Sequence, residues 1–467
     1  MKQLNLETIR RVTGGKPLCV LPREVCVEAI STDSRKLPPG AVFLALKGEK
    51  FDGHHYLPEV AAAGAVGAIV EDRSCNAPDN LPLIQVDNAR LALGKLGRYV
   101  RQQFTGKVVA VAGSNGKTST KNLIHSALSG KLYGSMSPKS FNNDIGVPIT
   151  LLEADAAQDY LVLEMGTNHP GEIATLAGIG LPDIAVITNC SAEHLEYLGD
   201  LAGVRRENAC IVQGLDAKGL LVANGDDPAL LDAVSSYSGR RITFGFEPHN
   251  DLFAADVVAG EDGVRFRLNG SKTEYFVPLL GKHTACNALA AIAVARRLGL
   301  SDKEIGAHLA AARGPDMRLQ LLQFGGVQVL NDAYNANPAS MQAALDTFQN
   351  LPTEGRRIAV LGDMRELGHT SERYHREAGF WAAAARLDVL ACVGHQARLL
   401  AESAQSCGMA SGRIHCFDDS STASKVVPRW LQQGDIVLLK ASRGLRLELI
   451  AREIQQSREP SSAAVPN

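Results

Sequence analysis

No run in the sequence approaches the ~20 consecutive apolar residues that a membrane-crossing helix needs. The first residues, Met1-Lys-Gln-Leu-Asn-Leu-Glu7, lack the apolar stretch of a secretory signal. From these two absences a cytoplasmic protein without membrane insertion is expected. Neither sign of charge predominates: 48 lysines and arginines face 50 aspartates and glutamates, for a formal net charge of −2. That balance gives no electrostatic reason to expect nucleic acid or an anionic membrane as partner. Cysteine pairs at C-x-x-C or zinc-like spacing are missing as well. The nine cysteines are scattered and odd in number, as reduced thiols used as small hydrophobes would be. Low-complexity segments and short-period repeats are absent too. What is present is a chain of 467 residues, 45% hydrophobic and 21% charged, enough for two or three domains each with its own core.

The most informative stretch is Lys107-Val-Val-Ala-Val-Ala-Gly-Ser-Asn-Gly-Lys-Thr-Ser-Thr120. The apolar run Val108 to Val111 reads as a buried strand. It enters a turn at Gly113, Ser114, Asn115 and Gly116, and a helical pattern begins at Lys117. Glycines let the backbone approach a ligand closely, and the free N–H groups of a helix start favour an anion. Lys117 adds a mobile positive charge, and the Thr118 hydroxyl can ligate Mg²⁺ as a phosphate-loop Ser/Thr does. The natural ligand of such a turn is a nucleoside triphosphate. The spacing is shorter than the general G-x-x-x-x-G-K-[ST] pattern, because Val111 stands where its first glycine would be.

Elsewhere strand-like and helical stretches alternate, as in an α/β protein. In residues 1–105 the strands are Ala41–Leu46, Ala65–Val70 and Leu83–Val86, with helices over 56–63 and 89–104. Between them lie Ser31-Thr-Asp-Ser-Arg35 and Lys47-Gly-Glu-Lys-Phe-Asp-Gly-His-His55, which read as surface turns or as loops holding a phosphorylated ligand; spacing alone favours turns. Residues 106–313 carry strands at 160–166, 184–189 and 220–227. Glu164 and His194 follow such strands and so fall at the carboxyl edge of a parallel sheet, where open α/β folds bind ligands. An acid and a histidine beside a phosphate loop suit Mg²⁺. Residues 240–280 read as a small β excursion, after which a long alanine-rich helix runs to Leu298. Arg313-Gly-Pro-Asp-Met-Arg318 has the composition of a domain joint. Residues 314–458 carry strands at 327–332, 357–362, 389–394 and 435–440, of which the first and last show no clear following helix. The tail, 459–467, reads as flexible.

These motifs, taken with Phe43-Leu-Ala-Leu-Lys-Gly-Glu49, Phe141-Asn-Asn-Asp-Ile-Gly-Val-Pro148, Glu164-Met-Gly-Thr-Asn-His169, Asp332-Ala-Tyr-Asn-Ala-Asn-Pro338 and Gly362-Asp-Met-Arg-Glu-Leu-Gly368, resemble the Mur ligase family over nearly the whole chain. The resemblance is to its D-alanyl-D-alanine-adding branch; the Asp-Asn-Pro-Arg signature of the diaminopimelate-adding branch is missing. It implies three α/β domains: an N-terminal uridine-nucleotide domain (1–105), a central P-loop-type parallel-sheet ATPase domain (106–313) and a C-terminal Rossmann-like domain (314–458) for the amine. It implies an ATP-dependent amide ligase using Mg²⁺, which adds D-alanyl-D-alanine to UDP-N-acetylmuramoyl-tripeptide through an acyl phosphate in cytoplasmic peptidoglycan precursor synthesis. Its partners would be small molecules and its state monomeric. Alternatives are a diverged paralogue with another amine, or a non-catalytic sensor of UDP-muramyl peptide or ATP.

By the same resemblance, Ser31, Asp33, Ser34, Arg35, Lys47 and Gly48 would form the uridine-nucleotide site. Gly113, Ser114, Asn115, Gly116, Lys117, Thr118 and Ser119 would hold the phosphates, Asn287 the adenine, Asp332 the ribose and Arg318 the γ-phosphate. Thr118 and Glu164 would hold one Mg²⁺ and His194 a second, so that Lys117, Glu164, His194 and Arg318 are the implied catalytic set. Asn142 and Asn143 would belong to the substrate loop; Tyr334, Asn335 and Asn337 to the dipeptide pocket; Lys440, Ser442 and Arg443 to the incoming substrate. Departures from the family pattern accompany this. Asn208 stands where the family has a lysine that becomes carbamylated and helps hold the second Mg²⁺, and Cys210 where it has a glutamate. Glu207 is adjacent to Asn208, but one residue on a helix turns a side chain by ~100°. Ser140, Thr284, Met317 and Ala441 are smaller departures.

Overall fold

The computed structural model describes residues 4–22, 24–271 and 273–458. The reading of 459–467 as a flexible tail lies outside them. Three large sheets follow one another along the chain. The first has the strand order Lys16–Pro17, Leu83–Gln85, Gly67–Val70, Ala41–Leu44, Ala29–Ser31. Only Lys16–Pro17 runs antiparallel to its neighbour. Ala41–Leu44 and Gly67–Val70 are buried on both faces, which explains why they read as continuous apolar runs. The helix expected over 56–63 instead begins as a 3₁₀ turn, Gly53–Tyr56, and continues as Leu57–Ala62. Asp52 imposes that start by accepting from the His54 N–H at 3.0 Å.

The central sheet has nine strands, in the order Glu274–Val277, Gly263–Leu268, Leu252–Gly260, Arg240–Gly245, Leu220–Asn224, Ile184–Ile187, Lys107–Ala112, Tyr160–Glu164, Gly134–Met136. Residues 240–280 are thus not an excursion beside the sheet. Arg240–Gly245 pairs in parallel with Leu220–Asn224, and the next three strands continue from there. Their exposed arginines weaken the apolar signal by which the inner strands are recognised. Lys107–Ala112 lies between Ile184–Ile187 and Tyr160–Glu164, with Val111 level with Glu164 and Ala112 level with Ile187. That register carries the glycine turn, Glu164 and the segment after Ile187 to one carboxyl edge. Behind it, the P-loop helix Lys117–Ser129 packs on His283–Arg297, whose buried alanines allow close approach.

The third sheet has the order Gln320–Phe324, Val327–Asn331, Ile436–Lys440, Arg357–Gly362, Val389–Val393, Ile414–Phe417, parallel except for the first pair. Helices do follow its first parallel strand and its last strand. Pro338–Gln349 comes after a six-residue loop, started by a capping box between Asn337 and Ser340. Glu448–Arg458 comes after the short turn Arg443–Leu445. The intervening loops hid both helices from a reading of strand followed directly by helix. Among the described residues no helix is long and apolar enough to cross a membrane.

One buried histidine ties this third sheet to pH. His375 Nε2 accepts the Met364 N–H at 3.0 Å, and its Nδ1 lies 2.7 Å from the Ser371 carbonyl. Burial holds its pKa below the ordinary histidine value of 6.5, against smaller opposing effects of the Ser371 carbonyl and Asp363. The unfolded chain therefore binds the proton more readily, so this contribution is complete above the ordinary value and is lost as pH falls below it. Urea titrations at pH 7.5 and 5.5 should show a drop at the lower pH. His375→Gln, which can still accept from Met364, should reduce that drop while losing about 1 kcal/mol or more at pH 7.5.

Candidate active site

The turn after Lys107–Ala112 requires glycine at two places. Gly113 has φ +125°, and a Cβ there would lie 2.2 Å from Thr188 Oγ1. Gly116 has φ +81°, and a Cβ there would lie 2.5 Å from Asn287 Oδ1. The turn is laced to residues 188–191. Ser114 N–H donates to the Asn189 carbonyl at 2.8 Å, Asn115 N–H to Asn189 Oδ1 at 3.1 Å, and Thr188 Oγ1 donates to the Asn115 carbonyl at 2.6 Å. Asn115 Nδ2 also donates to Ser191 Oγ at 2.7 Å. The turn's shape is therefore preorganised by side chains of the neighbouring strand end. The Lys117 ammonium folds back on the Gly113 and Ser114 carbonyls. Those are weak neutral partners that an anion can displace.

Glu164 is 0% exposed and Lys121 is 1% exposed, with Lys121 Nζ 3.2 Å from Glu164 Oε2. Asn142 Nδ2 donates to Glu164 Oε1 at 3.0 Å. Lys121 also donates to the Ser137 carbonyl at 2.9 Å and to that of Lys139. Burial lowers the Lys121 pKa, Glu164 opposes that, and Arg318 adds to it. Thr118 Oγ1, buried, has no hydrogen-bond partner, and Glu164 Oε2 has only the Lys121 ammonium at 3.2 Å. An orphaned hydroxyl and a carboxylate beside a phosphate-type turn fit a hard cation with oxygen ligands.

His194, at φ +51°, ends the segment after Ile184–Ile187. Its Nδ1 meets Glu366 Oε2 of the third sheet, and its Nε2 lies 3.8 Å from Glu193 Oε2. The hydrogen bond to His194 holds the Glu366 carboxyl below its usual range, against the effect of burial. Asn208 is buried, with Nδ2 on the Val204 carbonyl at 3.0 Å and Oδ1 without a partner. Glu207 is committed elsewhere: it accepts from the Gly171 N–H at 2.7 Å and the Ile173 N–H at 2.8 Å, at the start of helix Glu172–Gly180. It does not stand in for a ligand at position 208.

From the third sheet, the Arg318 guanidinium lies over the Tyr334 ring, 4.1 Å from its centre. Asp332 and Lys440 follow neighbouring parallel strands and pair at 2.6 Å. Asp332 also accepts the Leu319 N–H at 3.0 Å, and Lys440 donates to the Asn335 carbonyl at 3.1 Å. Both have partners inside the protein. Ser442 Oγ accepts the Arg365 N–H at 2.9 Å, and Arg443 lies 3.1 Å from Glu448. Asn337 Nδ2 donates to Asn115 Oδ1 at 2.9 Å, joining the third sheet's loop directly to the glycine turn.

A cleft of about 1590 Å³ brings most of these residues together. The second sheet supplies Ser114, Asn115, Gly116, Lys117 and Ser119, with Asn142, Asn143, Glu164, His194 and Asn287 around them. Facing them are Arg318, Asp332, Tyr334, Asn335 and Asn337, then Lys440, Ser442 and Arg443. Gly113 and Thr118 lie behind this lining, in contact with it through the turn. Arg90, on helix Ala89–Gln103, brings the first sheet's unit to the rim and pairs with Asp144 at 3.1 Å.

Ser31, Asp33, Ser34, Arg35, Lys47 and Gly48 do not line the cleft. They follow two adjacent parallel strands, at the carboxyl edge of the first sheet. There Asp33 accepts from the Arg35 N–H at 3.1 Å and from its guanidinium at 2.8 Å, which draws its pKa down. Gly48 N–H donates to the Phe51 carbonyl at 2.9 Å, closing the second loop.

Sequence reasoning missed Lys121, Glu366 and the lacing role of Thr188, Asn189 and Ser191. Lys121 carried a usable signal, since it lies four residues after Lys117 on one helix face. Glu366 lay inside a recognised motif but had no assigned partner.

Three α/β sheets around one cleft, with a short glycine turn on the central parallel sheet, define a multidomain α/β protein of the phosphate-loop kind. Three family models match: the Mur ligase family catalytic domain over 27–101, the Mur ligase middle domain over 111–295, and the Mur ligase glutamate ligase domain over 317–443. The UDP-N-acetylmuramoyl-tripeptide–D-alanyl-D-alanine ligase of Bacillus subtilis is 36% identical over 436 residues, 93% of this chain and 94% of its own. The chain belongs to the Mur ligase family. Among solved structures, MurF from Acinetobacter baumannii superposes with a TM-score of 0.87 at 31% identity, covering 97% of this chain and 98% of that one. MurF from Thermotoga maritima, solved in complex with ADP, gives 0.81 at 28% identity, covering 94% and 99%.

The buried pair makes a direct prediction. Lys121→Met leaves Glu164 without its cation and should lower stability by about 3–5 kcal/mol in urea titration. Adding Glu164→Gln should restore most of that. A loss under about 1 kcal/mol in the single variant would show that Lys121 does not carry the Glu164 charge.

Proposed function

We propose that the chain is an ATP-dependent amide ligase that joins D-alanyl-D-alanine to UDP-N-acetylmuramoyl-tripeptide, completing a cytoplasmic peptidoglycan precursor. The observation that carries this reading is the convergence on one cleft of the glycine turn, Glu164, His194, Arg318 and the carboxyl edge of the third sheet. Residues 1–105, 106–313 and 314–458 are its three domains, for uridine nucleotide, ATP and amine. It works as a monomer on small molecules.

A carboxylate is a poor electrophile, so the acceptor peptide's terminal carboxylate first takes the γ-phosphoryl group of ATP. The dipeptide's amine then attacks the acyl phosphate, the amide forms and phosphate leaves. Such transfer depends on positioning and charge neutralisation. The amides of Gly116, Lys117 and Thr118 receive the phosphates, those of Ser114 and Asn115 being held by Asn189, and Lys117 leaves the carbonyls of its own turn to pair with them. Asn287, packed on Gly116, is placed for the adenine. Asp332 is placed for the ribose, and Arg318, held flat on Tyr334, for the γ-phosphate. Ser119 lies beside the phosphates on the first helical turn. Thr118 and Glu164 would hold one Mg²⁺ and His194 a second, which would supply positive charge where the phosphoryl group moves. Among the described residues no three His, Cys, Asp or Glu side chains form a metal cluster by themselves.

Asn142 and Asn143 shape the acceptor's path, and Ser31, Asp33, Ser34, Arg35, Lys47 and Gly48 hold its uridine nucleotide. Tyr334, Asn335 and Asn337 border the dipeptide, and Ser442 and Arg443 meet it at the end of the last strand, where Lys440 steadies Asp332.

Phosphate release measured across acceptor and amine combinations tests this. Turnover should require ATP, Mg²⁺, the UDP-linked tripeptide and D-alanyl-D-alanine together. Lys117→Ala should lower kcat/KM by about 10²–10³-fold. No turnover with this pair, with bicarbonate supplied, would overturn the assignment.

A further inference from the structure

The least expected contact in the cleft is between His194 and Glu366, residues far apart in sequence and on different sheets. Both have left-handed backbone, at φ +51° and +62°. Such a conformation costs a non-glycine residue of order 1–3 kcal/mol unless its surroundings impose it. Here they do. The Glu366 carbonyl accepts the Glu196 N–H at 3.1 Å, two residues past His194. On the other side, the loop that carries Glu366 is fixed by the Ser442 hydroxyl at Arg365 and by His375 at Met364. A Cβ at Gly368 would lie 3.2 Å from Glu196 Cα, so the two segments touch backbone to backbone there.

The chemistry of this contact is directional. A carboxylate only accepts, so the Nδ1 facing Glu366 carries the proton. The other ring nitrogen, Nε2, takes no part in that contact; it lies 3.8 Å from Glu193 Oε2, and His194 lines the cleft. A carboxylate on the far nitrogen of a metal-binding histidine fixes its tautomer and ring orientation and raises its basicity. The carboxylate here comes from the C-terminal sheet, whereas the glycine turn, Thr118 and Glu164 belong to the central one.

Building on the nucleotide-and-metal reading above, we propose that Glu366 is a positioning residue for His194, delivered by docking of the C-terminal domain. Nε2 is presented to the metal–triphosphate only in the docked arrangement. Charge neutralisation is thereby withheld until the domain that carries the amine site is in place.

The test is Mn²⁺ binding to the full-length protein holding ADP, read by the electron paramagnetic resonance signal of free Mn²⁺. The variants are Glu366→Gln, which keeps the shape but loses the charge, and Glu366→Asn, which tolerates left-handed backbone but cannot reach His194. His194→Ala is the reference. Glu366→Asn should weaken Mn²⁺ binding about 10–100-fold, and Glu366→Gln by less. The double variant His194→Ala/Glu366→Asn should lose no more than His194→Ala alone. ADP affinity without metal should stay as in the parent. Mn²⁺ binding unchanged in Glu366→Asn, no loss in His194→Ala, or additive losses in the double variant would each overturn the proposal. The titration contains neither acceptor nor amine, so failure of the ligase assignment would leave its result standing, and the reverse holds too.

Discussion

An ionised carboxylate with no access to water is the constraint on which the cleft depends. Glu164 ends a central strand and has no exposed surface. Left alone, a carboxylate there would cost several kcal/mol. The structure answers with Lys121 from the P-loop helix and Asn142 from the following segment. Those two side chains then determine more than one charge. Lys121 also gathers the Ser137 and Lys139 carbonyls, and the Asn142 carbonyl accepts the Gly166 N–H at 2.8 Å. The acid, the helix that follows the glycine turn and the 137–143 segment are thus one hydrogen-bonded unit. Moving any of them disturbs the Glu164 carboxylate, whose Oε2 Lys121 holds and whose Oε1 Asn142 holds.

The second level of organisation is the joint between the central and C-terminal sheets. Apolar side chains cross it, with Leu280 in the C-terminal core and Tyr374 against Leu195 and Leu198, and two polar ones end on residues of the cleft. Asn337 reaches Asn115 in the glycine turn, and Glu366 reaches His194. Asn337 also caps the helix Pro338–Gln349, so the same amide group starts a helix and touches the phosphate turn. The contact between the two sheets is therefore made at the glycine turn and at His194 themselves. Asp332 and Lys440 show the same economy within the C-terminal sheet: parallel register alone puts a carboxylate and an ammonium side by side at the edge facing the cleft.

Much of this was legible in the sequence, and the boundary has physical reasons. The strand, glycine turn and helix at 107–129 were readable because periodicity changes there and because φ values of +125° and +81° require glycine. Glu164 and His194 were readable because polar residues that follow apolar strands must fall at the carboxyl edge. Lys121 was readable only as a neighbour of Lys117 on one helix face, since a lysine on a helix reads as solvent-facing; its burial comes from the 137–139 backbone folding over it. Glu366 was not, because its partner is set by how two sheets dock. The strand at 414–417 was missed because it is an edge strand with exposed polar side chains, and those at 240–260 because Arg240, Arg241 and the exposed positions of 252–260 break up the buried apolar pattern. Asn208 was noticed as a departure, and its buried, unpartnered Oδ1 now gives that departure a location.

The central claim is that the cleft holds a triphosphate and a carboxylate so that the γ-phosphoryl group passes to the acid before the amine attacks. Oxygen tracing tests it most directly. The acceptor is prepared with ¹⁸O in its terminal carboxyl group and turned over with ATP and the dipeptide, and the released phosphate is analysed by mass. Transfer through an acyl phosphate predicts one ¹⁸O in each phosphate released. Phosphate free of ¹⁸O, with amide formed at the normal rate, would contradict it.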